Sequence, residues 1–101
     1  MALPVRWSDR ARAEFYDAIA YIAASSPQAA ERVQQRIEAA VARLTAQPSM
    51  GRPGRVNGTR ELIVGGTDDI VPYRVRAGEI VLLALIHARR RWPDDFDDAP
   101  V

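Results

Sequence analysis

Histidine occurs once in this chain, at position 87, and the run Arg89-Arg90-Arg91-Trp92 follows it almost at once. Imidazole is the side chain that moves protons near neutral pH. Guanidinium groups grip phosphate through paired hydrogen bonds and stabilise charge developing on a transferring phosphoryl group. Arg60, Arg74 and Arg76 lie on β-like segments upstream. Strand alternation sets Arg74 and Arg76 on the face opposite Val71, Tyr73 and Val75. If helices cover the latter face, the two arginines project from an uncovered one. A cluster of Arg60, Arg74 and His87 on such a face has the chemistry to bind RNA, or to cleave it without a metal. The plainer reading has Arg60 paired with Glu61 or Glu79 and His87 closing a strand. Arg32, Arg36 and Arg43 form a second basic feature at i, i+4 and i+11 of a helical segment, either a partner contact or a solvated face.

Other chemistries find no residues. There is no GxSxG, no HExxH and no glycine-rich phosphate loop between a strand and a helix. The segment 51–58 is glycine-rich but reads as a plain loop. Asp68-Asp69 adjoin Gly66 in a turn, where aspartate serves backbone geometry, and Asp94–Asp98 fall in a tail. The chain has no cysteine, which excludes disulfides, thiolate metal sites and cysteine nucleophiles; one histidine excludes a His-rich zinc site. No cofactor and no metal are expected.

Hydrophobic spacing supplies the elements that must carry the arginines. Leu3, Val5 and Trp7 alternate with polar positions as a short strand. Ser8 is a plausible N-cap for a helix over 8–24, with Ala11, Phe15, Ala18, Ile19 and Ile22 on one face. Ser26 and Pro27 open a second helix, on which Val33, Ile37, Ala40, Val41 and Leu44 follow i, i+4, i+7, i+8, i+11. After the 47–58 loop come three β-like runs, 59–64, 70–76 and 80–87. The last is almost wholly apolar, as an interior strand covered on both faces would be. Pro72 cannot donate to a ladder and predicts an edge or a bulge. The order β-α-α-β-β-β predicts an α+β fold, a helical hairpin packed on one face of a small, mostly antiparallel sheet.

The chain has 101 residues and a mass of 11.2 kDa, enough for one domain. Its 14 basic residues are all arginine. Four of the 13 acids, Asp94, Asp95, Asp97 and Asp98, lie beyond residue 91. Residues 1–91 therefore carry 14 arginines against nine acids, a net charge of +5. The expected organisation is a basic domain over 1–93 and an acidic tail over 94–101, free to fold back as a self-screen. A basic body implies an anionic partner, nucleic acid or acidic protein. No apolar run approaches the ~20 residues of a membrane span, and the N-terminus lacks a signal-type apolar stretch, so a cytoplasmic location without a membrane partner is expected.

Several segments in order resemble the RelE/ParE toxin superfamily of bacterial toxin–antitoxin modules. They are Val5-Arg6-Trp7-Ser8-x-x-Ala11 leading into Phe15 and Tyr21-Ile22, Gly51-Arg52-Pro53-Gly54, Gly58-Thr59-Arg60-Glu61-Leu62-Ile63-Val64, Pro72-Tyr73-Arg74-Val75, and Leu85-Ile86-His87-Ala88-Arg89-Arg90-Arg91-Trp92-Pro93. The resemblance implies a β-α-α-β-β-β fold and a toxin neutralised by a cognate antitoxin that wraps it in a hetero-oligomer. RelE-like members cleave mRNA on the ribosome; here that role would fall to His87, Arg74 and Arg60. ParE-like members inhibit DNA gyrase and have lost the catalytic cluster. No lysine is present and no tyrosine follows Tyr73, and the ending His-x-x-Arg-x-Trp-Pro is similar to ParE-type sequences. The resemblance thus favours gyrase as target, contacted through Arg74, Arg76, His87, Arg89, Arg90, Arg91 and Trp92. The antitoxin is expected on Phe15, Ile19, Ile22, Arg32, Arg36 and Arg43.

Overall fold

A computed structural model describes residues 2–96. Strand β1 (Val5–Trp7) leads into helix α1 (Asp9–Ser25) through Ser8. The Ser8 hydroxyl accepts from the Ala11 N–H at 3.1 Å, satisfying one of the donors a helix start leaves open. Ser26 closes one helix and opens the next. Its N–H donates to the Ile22 carbonyl at 2.9 Å, while its side chain accepts from the Ala29 N–H at 3.1 Å. Pro27 then occupies the first turn of α2 (Pro27–Ala46), where its missing N–H costs nothing. With both caps on one residue, the helices are forced into a tight hairpin. The buried residues of α2 are Ala30, Ile37, Ala40, Val41 and Leu44, the face its spacing predicts apart from half-buried Val33.

The remaining strands are β2 (Arg52–Pro53), β3 (Arg60–Ile63), β4 (Asp69–Arg76), β5 (Glu79–Leu82) and β6 (Ile86–His87). Their order is β1-β5-β4-β3-β2, with β6 also paired to β4; β1 runs parallel to β5 and all other pairs are antiparallel. The expected hairpin on a mostly antiparallel sheet is present. Two details differ from the sequence reading: the 47–58 loop contains the two-residue β2, and the last apolar run is split into β5 and β6. The β4–β5 turn has positive φ at Ala77 (53°) and Gly78 (76°), the twist a two-residue hairpin turn requires.

The sheet is covered on both faces. Against the helices lie Leu62, Val64, Val71, Tyr73, Ile80, Leu82 and Leu85. On the other face Val56, Val81, Leu83, Ala84, Ile86 and Phe96 form a second cluster, with Trp92 packed against it.

A bulge separates β5 from β6. Tyr73 pairs with Leu82 and Ile70 with Ile86, so residues 71–72 of β4 face residues 83–85 of the partner segment. Pro72 sits at this interruption in a central strand, so of the two predicted settings, edge or bulge, it has the second. Its carbonyl accepts from the Leu83 N–H at 2.9 Å. The irregular backbone is tied to the helix side as well: the Ser8 hydroxyl donates to the Leu83 carbonyl at 3.2 Å, and the Leu85 N–H donates to Glu14 at 3.1 Å. The extra residue resets alternation. Leu83 and Ala84 both join the second cluster, Leu85 returns to the helix face, and Ile86 points away from it again. His87 therefore lies on the helix side.

Candidate functional site

His87 lines a groove of about 960 Å³ whose walls include Tyr21, Ile22, Val33 and Leu85 as well as Arg89 and Arg90. Its Nε2 lies 3.6 Å from the Asp68 carboxylate, and its Nδ1 accepts from the Arg89 N–H at 3.2 Å. Opposite His87 in the ladder stands Asp69. Burial chiefly, with the Asp68 charge adding to it, raises the Asp69 carboxyl above its ordinary range, against opposing pulls from His87 and Arg90. After His87 the chain turns, with Arg90 N–H donating to the His87 carbonyl at 3.0 Å, and leaves Arg89, Arg90 and Arg91 exposed.

Arg60 shares the helix side of the sheet but at a distance. It pairs with Tyr73, four positions along β4 from the Asp69–His87 pair, which is roughly 13 Å of strand. Its guanidinium donates to the Gly51 carbonyl at 2.8 Å and the Ser49 carbonyl at 3.3 Å, so its partners are loop carbonyls rather than Glu61 or Glu79. Tyr73, fully buried, donates to the Pro48 carbonyl at 2.7 Å and accepts from the Gly51 N–H at 2.9 Å. A Cβ on Gly51 would lie 2.6 Å from the Tyr73 ring, so residue 51 must lack a side chain. Arg60 and Tyr73 thus fasten the 48–51 loop to the sheet.

Arg74 and Arg76 lie on the opposite face. Arg74 pairs with Val81 and Arg76 with Glu79, and the Arg74 Nε donates to the Gly58 carbonyl at 3.4 Å. The sequence places Arg60, Arg74 and His87 on one uncovered face; the structure does not bring them together. The bulge turns His87 to the helix side, Arg60 faces that side a strand segment away, and the face bearing Arg74 is covered by the Val56 loop and by Trp92 and Phe96.

The best-satisfied charge on that second face is Glu61, 2% exposed. Arg52 Nε and Nη2 both lie 2.9 Å from one carboxylate oxygen, while the other accepts from the Arg55 N–H at 2.8 Å and the Arg55 Nε at 3.0 Å. Burial alone would raise this carboxyl; the Arg55 backbone and side chain and the Arg52 side chain outweigh it and hold it below its ordinary range. Sequence reading treats Glu61 only as a possible mate for Arg60. The signal was its strand position: the one acid in the run 59–64, followed by Leu62-Ile63-Val64, with Arg52 and Arg55 in the loop before it. The Arg55 guanidinium then stacks 3.7 Å above the Trp92 ring, and Trp92 meets Phe96 edge-on at 6.4 Å.

Two grooves flank α1. Ile22 belongs to the large one. Phe15 belongs to a smaller one of about 420 Å³, between α1, α2 and β1, where its ring lies 5.2 Å from Trp7. Ile19 is half-buried; Arg32, Arg36 and Arg43 are exposed on α2, and Arg36 Nη1 donates to the Gly65 carbonyl at 3.3 Å. Tyr16 and Tyr21, at 62% and 84% exposure, add aromatic surface to the smaller and larger groove respectively, and sequence reading assigned neither a role. Among the described residues no group of His, Asp and Glu is arranged to hold a metal ion, and no helix is long and apolar enough to cross a membrane.

The family model described as "ParE toxin of type II toxin-antitoxin system, parDE" matches residues 5–92. A Sinorhizobium fredii protein, "Putative toxin Y4kP", is 40% identical over 89 residues, which is 88% of this chain and 92% of that relative. A solved structure, "Chromosomal ParDE TA system from P. aeruginosa", contains a chain that superposes with a TM-score of 0.73 at 30% identity, covering 85% of this chain and 96% of that one. With the family model spanning nearly the whole hairpin-on-sheet body, this chain belongs to the ParE toxin family of type II toxin–antitoxin systems.

Proposed function

We propose that this ParE-family chain inhibits DNA gyrase by binding it, and that a cognate antitoxin neutralises it by covering the helical hairpin. The observation that carries the first part is the separation of His87 from Arg74 onto opposite faces of the sheet, with Arg60 held by loop carbonyls. A phosphoryl-transfer site needs a proton-transfer group and charge-stabilising groups converging on one reacting centre. Here the basic residues instead form surfaces suited to macromolecular contact. His87, Arg89, Arg90 and Arg91 follow the end of β6; Arg74, Arg76 and Trp92 lie on or beside the second face. The antitoxin reading rests on the two grooves beside α1, which divide Phe15 and Ile22 between them, with Ile19, Arg32, Arg36 and Arg43 on the same hairpin. A segment filling both would bury area at the upper end of the ~1,200–2,000 Å² of specific complexes. Supercoiling of relaxed plasmid by purified gyrase tests the target. Inhibition that saturates with toxin is expected; normal supercoiling together with codon-register cuts in translated mRNA would overturn the proposal in favour of a ribosome-dependent nuclease.

A further inference from the structure

We propose that the segment from Trp92 to Phe96 is a tethered acidic strap that occupies the arginine-bearing second face of the sheet and keeps single-stranded nucleic acid off it. The face is the one that carries Arg74, Arg76 and Trp92 in the reading above, but the inference does not require gyrase to be the target. The ladder puts Arg6, Arg74 and Arg76 on the same face as Val81, and Glu61 draws Arg52 and Arg55 to that face too. Glu79, paired with Arg6 at 3.2 Å, is a second carboxylate that the strands set on it. Five arginines against two glutamates give this face a net charge of +3. A surface of this kind attracts phosphate backbones, and guanidinium binds phosphate in bidentate fashion.

The strap is fixed over that surface at two points. Trp92 lies beneath the Arg55 guanidinium, and Phe96, 5% exposed, is seated among Val56, Val81, Leu83, Ala84 and Ile86, with the Arg10 guanidinium 5.3 Å from its ring. Between the two rings stand the exposed Asp94 and Asp95, and Asp95 accepts from the Phe96 N–H at 2.8 Å. Asp97 and Asp98 follow in the sequence, outside the described residues. Adding Asp94 and Asp95 to the face takes its net charge from +3 to +1. In order, the strap offers a ring, two carboxylates and a second ring. Flat rings set against guanidinium groups and interleaved with anions are what a single strand of nucleic acid also presents, as stacked bases and phosphates. An acidic peptide would supply the anions without the rings. The geometry therefore points to a nucleic-acid strand as the excluded competitor.

The test uses the full-length protein and a fluorescently labelled oligothymidylate, with anisotropy read from low to physiological salt. One variant carries Asp94→Asn, Asp95→Asn, Asp97→Asn and Asp98→Asn together; a second carries Phe96→Ala alone. The four-Asn variant should bind at least about tenfold more tightly at low salt and show a steeper salt dependence, by about 0.7 in log–log slope for each phosphate newly contacted. Phe96→Ala should shift both quantities in the same direction with every acid still present. Affinity and slope unchanged in the four-Asn variant would overturn the proposal. So would a folded Phe96→Ala protein that binds no better than the unaltered chain, because docking would then play no part. The four-Asn variant keeps both ring anchors and decides the matter by itself if Phe96→Ala melts.

Discussion

Replacing Glu61 with glutamine removes a buried charge while keeping its shape. The carboxylate accepts from Arg52 on one oxygen and from the Arg55 backbone and side chain on the other, at 2.8–3.0 Å for the short contacts. A glutamine amide can keep one oxygen's contacts but turns an NH₂ toward donors on the other side. Breaking a buried ion pair by removing one partner costs about 3–5 kcal/mol. The side chains of Arg52 and Arg55 are 52% and 43% exposed, so water recovers part of their loss. About 2–3 kcal/mol of destabilisation is expected, or roughly 10–20 °C in Tm for a domain this size. The pH dependence carries the sharper test. Because the folded carboxyl titrates below its ordinary value, its contribution is complete at neutral pH and disappears as pH falls through the folded value. Thermal melts of both proteins from pH 7 to pH 3 should therefore converge as acid is added. A neutral-pH difference under roughly 3 °C, or two curves that stay parallel into acid, would refute the assignment of Glu61 as the charge that holds the loop.

Tyr73→Phe leaves the Pro48 carbonyl and the Gly51 N–H without their buried partner and should cost about 1–3 kcal/mol, read as a lower urea midpoint at unchanged m-value. Asp69 behaves oppositely to Glu61. A carboxyl whose folded value is raised subtracts stability once pH exceeds its ordinary value, so Asp69→Asn should stabilise the protein at neutral pH, with the gain vanishing near pH 3; destabilisation at neutral pH would show that attraction to His87 outweighs burial.

Much of the fold was legible because its signals are local. Ser8, Ser26 and Pro27 mark helix boundaries by chemistry confined to a few residues, and the α2 stripe is a periodicity that one window of sequence displays. The candidate site was less legible because it depends on register. Alternation through residues 80–87 places His87 opposite Leu82; one extra residue at 83–85 reverses this, and the groups that satisfy the irregular backbone come from Ser8 and Glu14, more than 70 positions away in sequence. Glu61 illustrates the same limit. Its burial follows from a loop that folds back onto β3, and its partners Arg52 and Arg55 look in sequence like two more solvated cations. Phe96 sat in a segment whose aspartates suggested a solvated tail, although the pair Trp92 and Phe96 in an otherwise acidic stretch was the sign of an anchor.

The parallel pairing of β1 with β5 joins Val5 to Ile80 and Trp7 to Leu82, across most of the chain. In the growing polypeptide, the first strand leaves the ribosome long before its neighbour exists, and the hairpin emerges with no sheet to rest on. The floor beneath Ile37, Ala40 and Leu44 is complete only when Ile80, Leu82 and Leu85 have been added. Loop closure over such a span comes late and gives no partial reward beforehand. Until residues 80–85 have emerged, the hairpin has no floor to settle on, so the body forms in one late step rather than piece by piece.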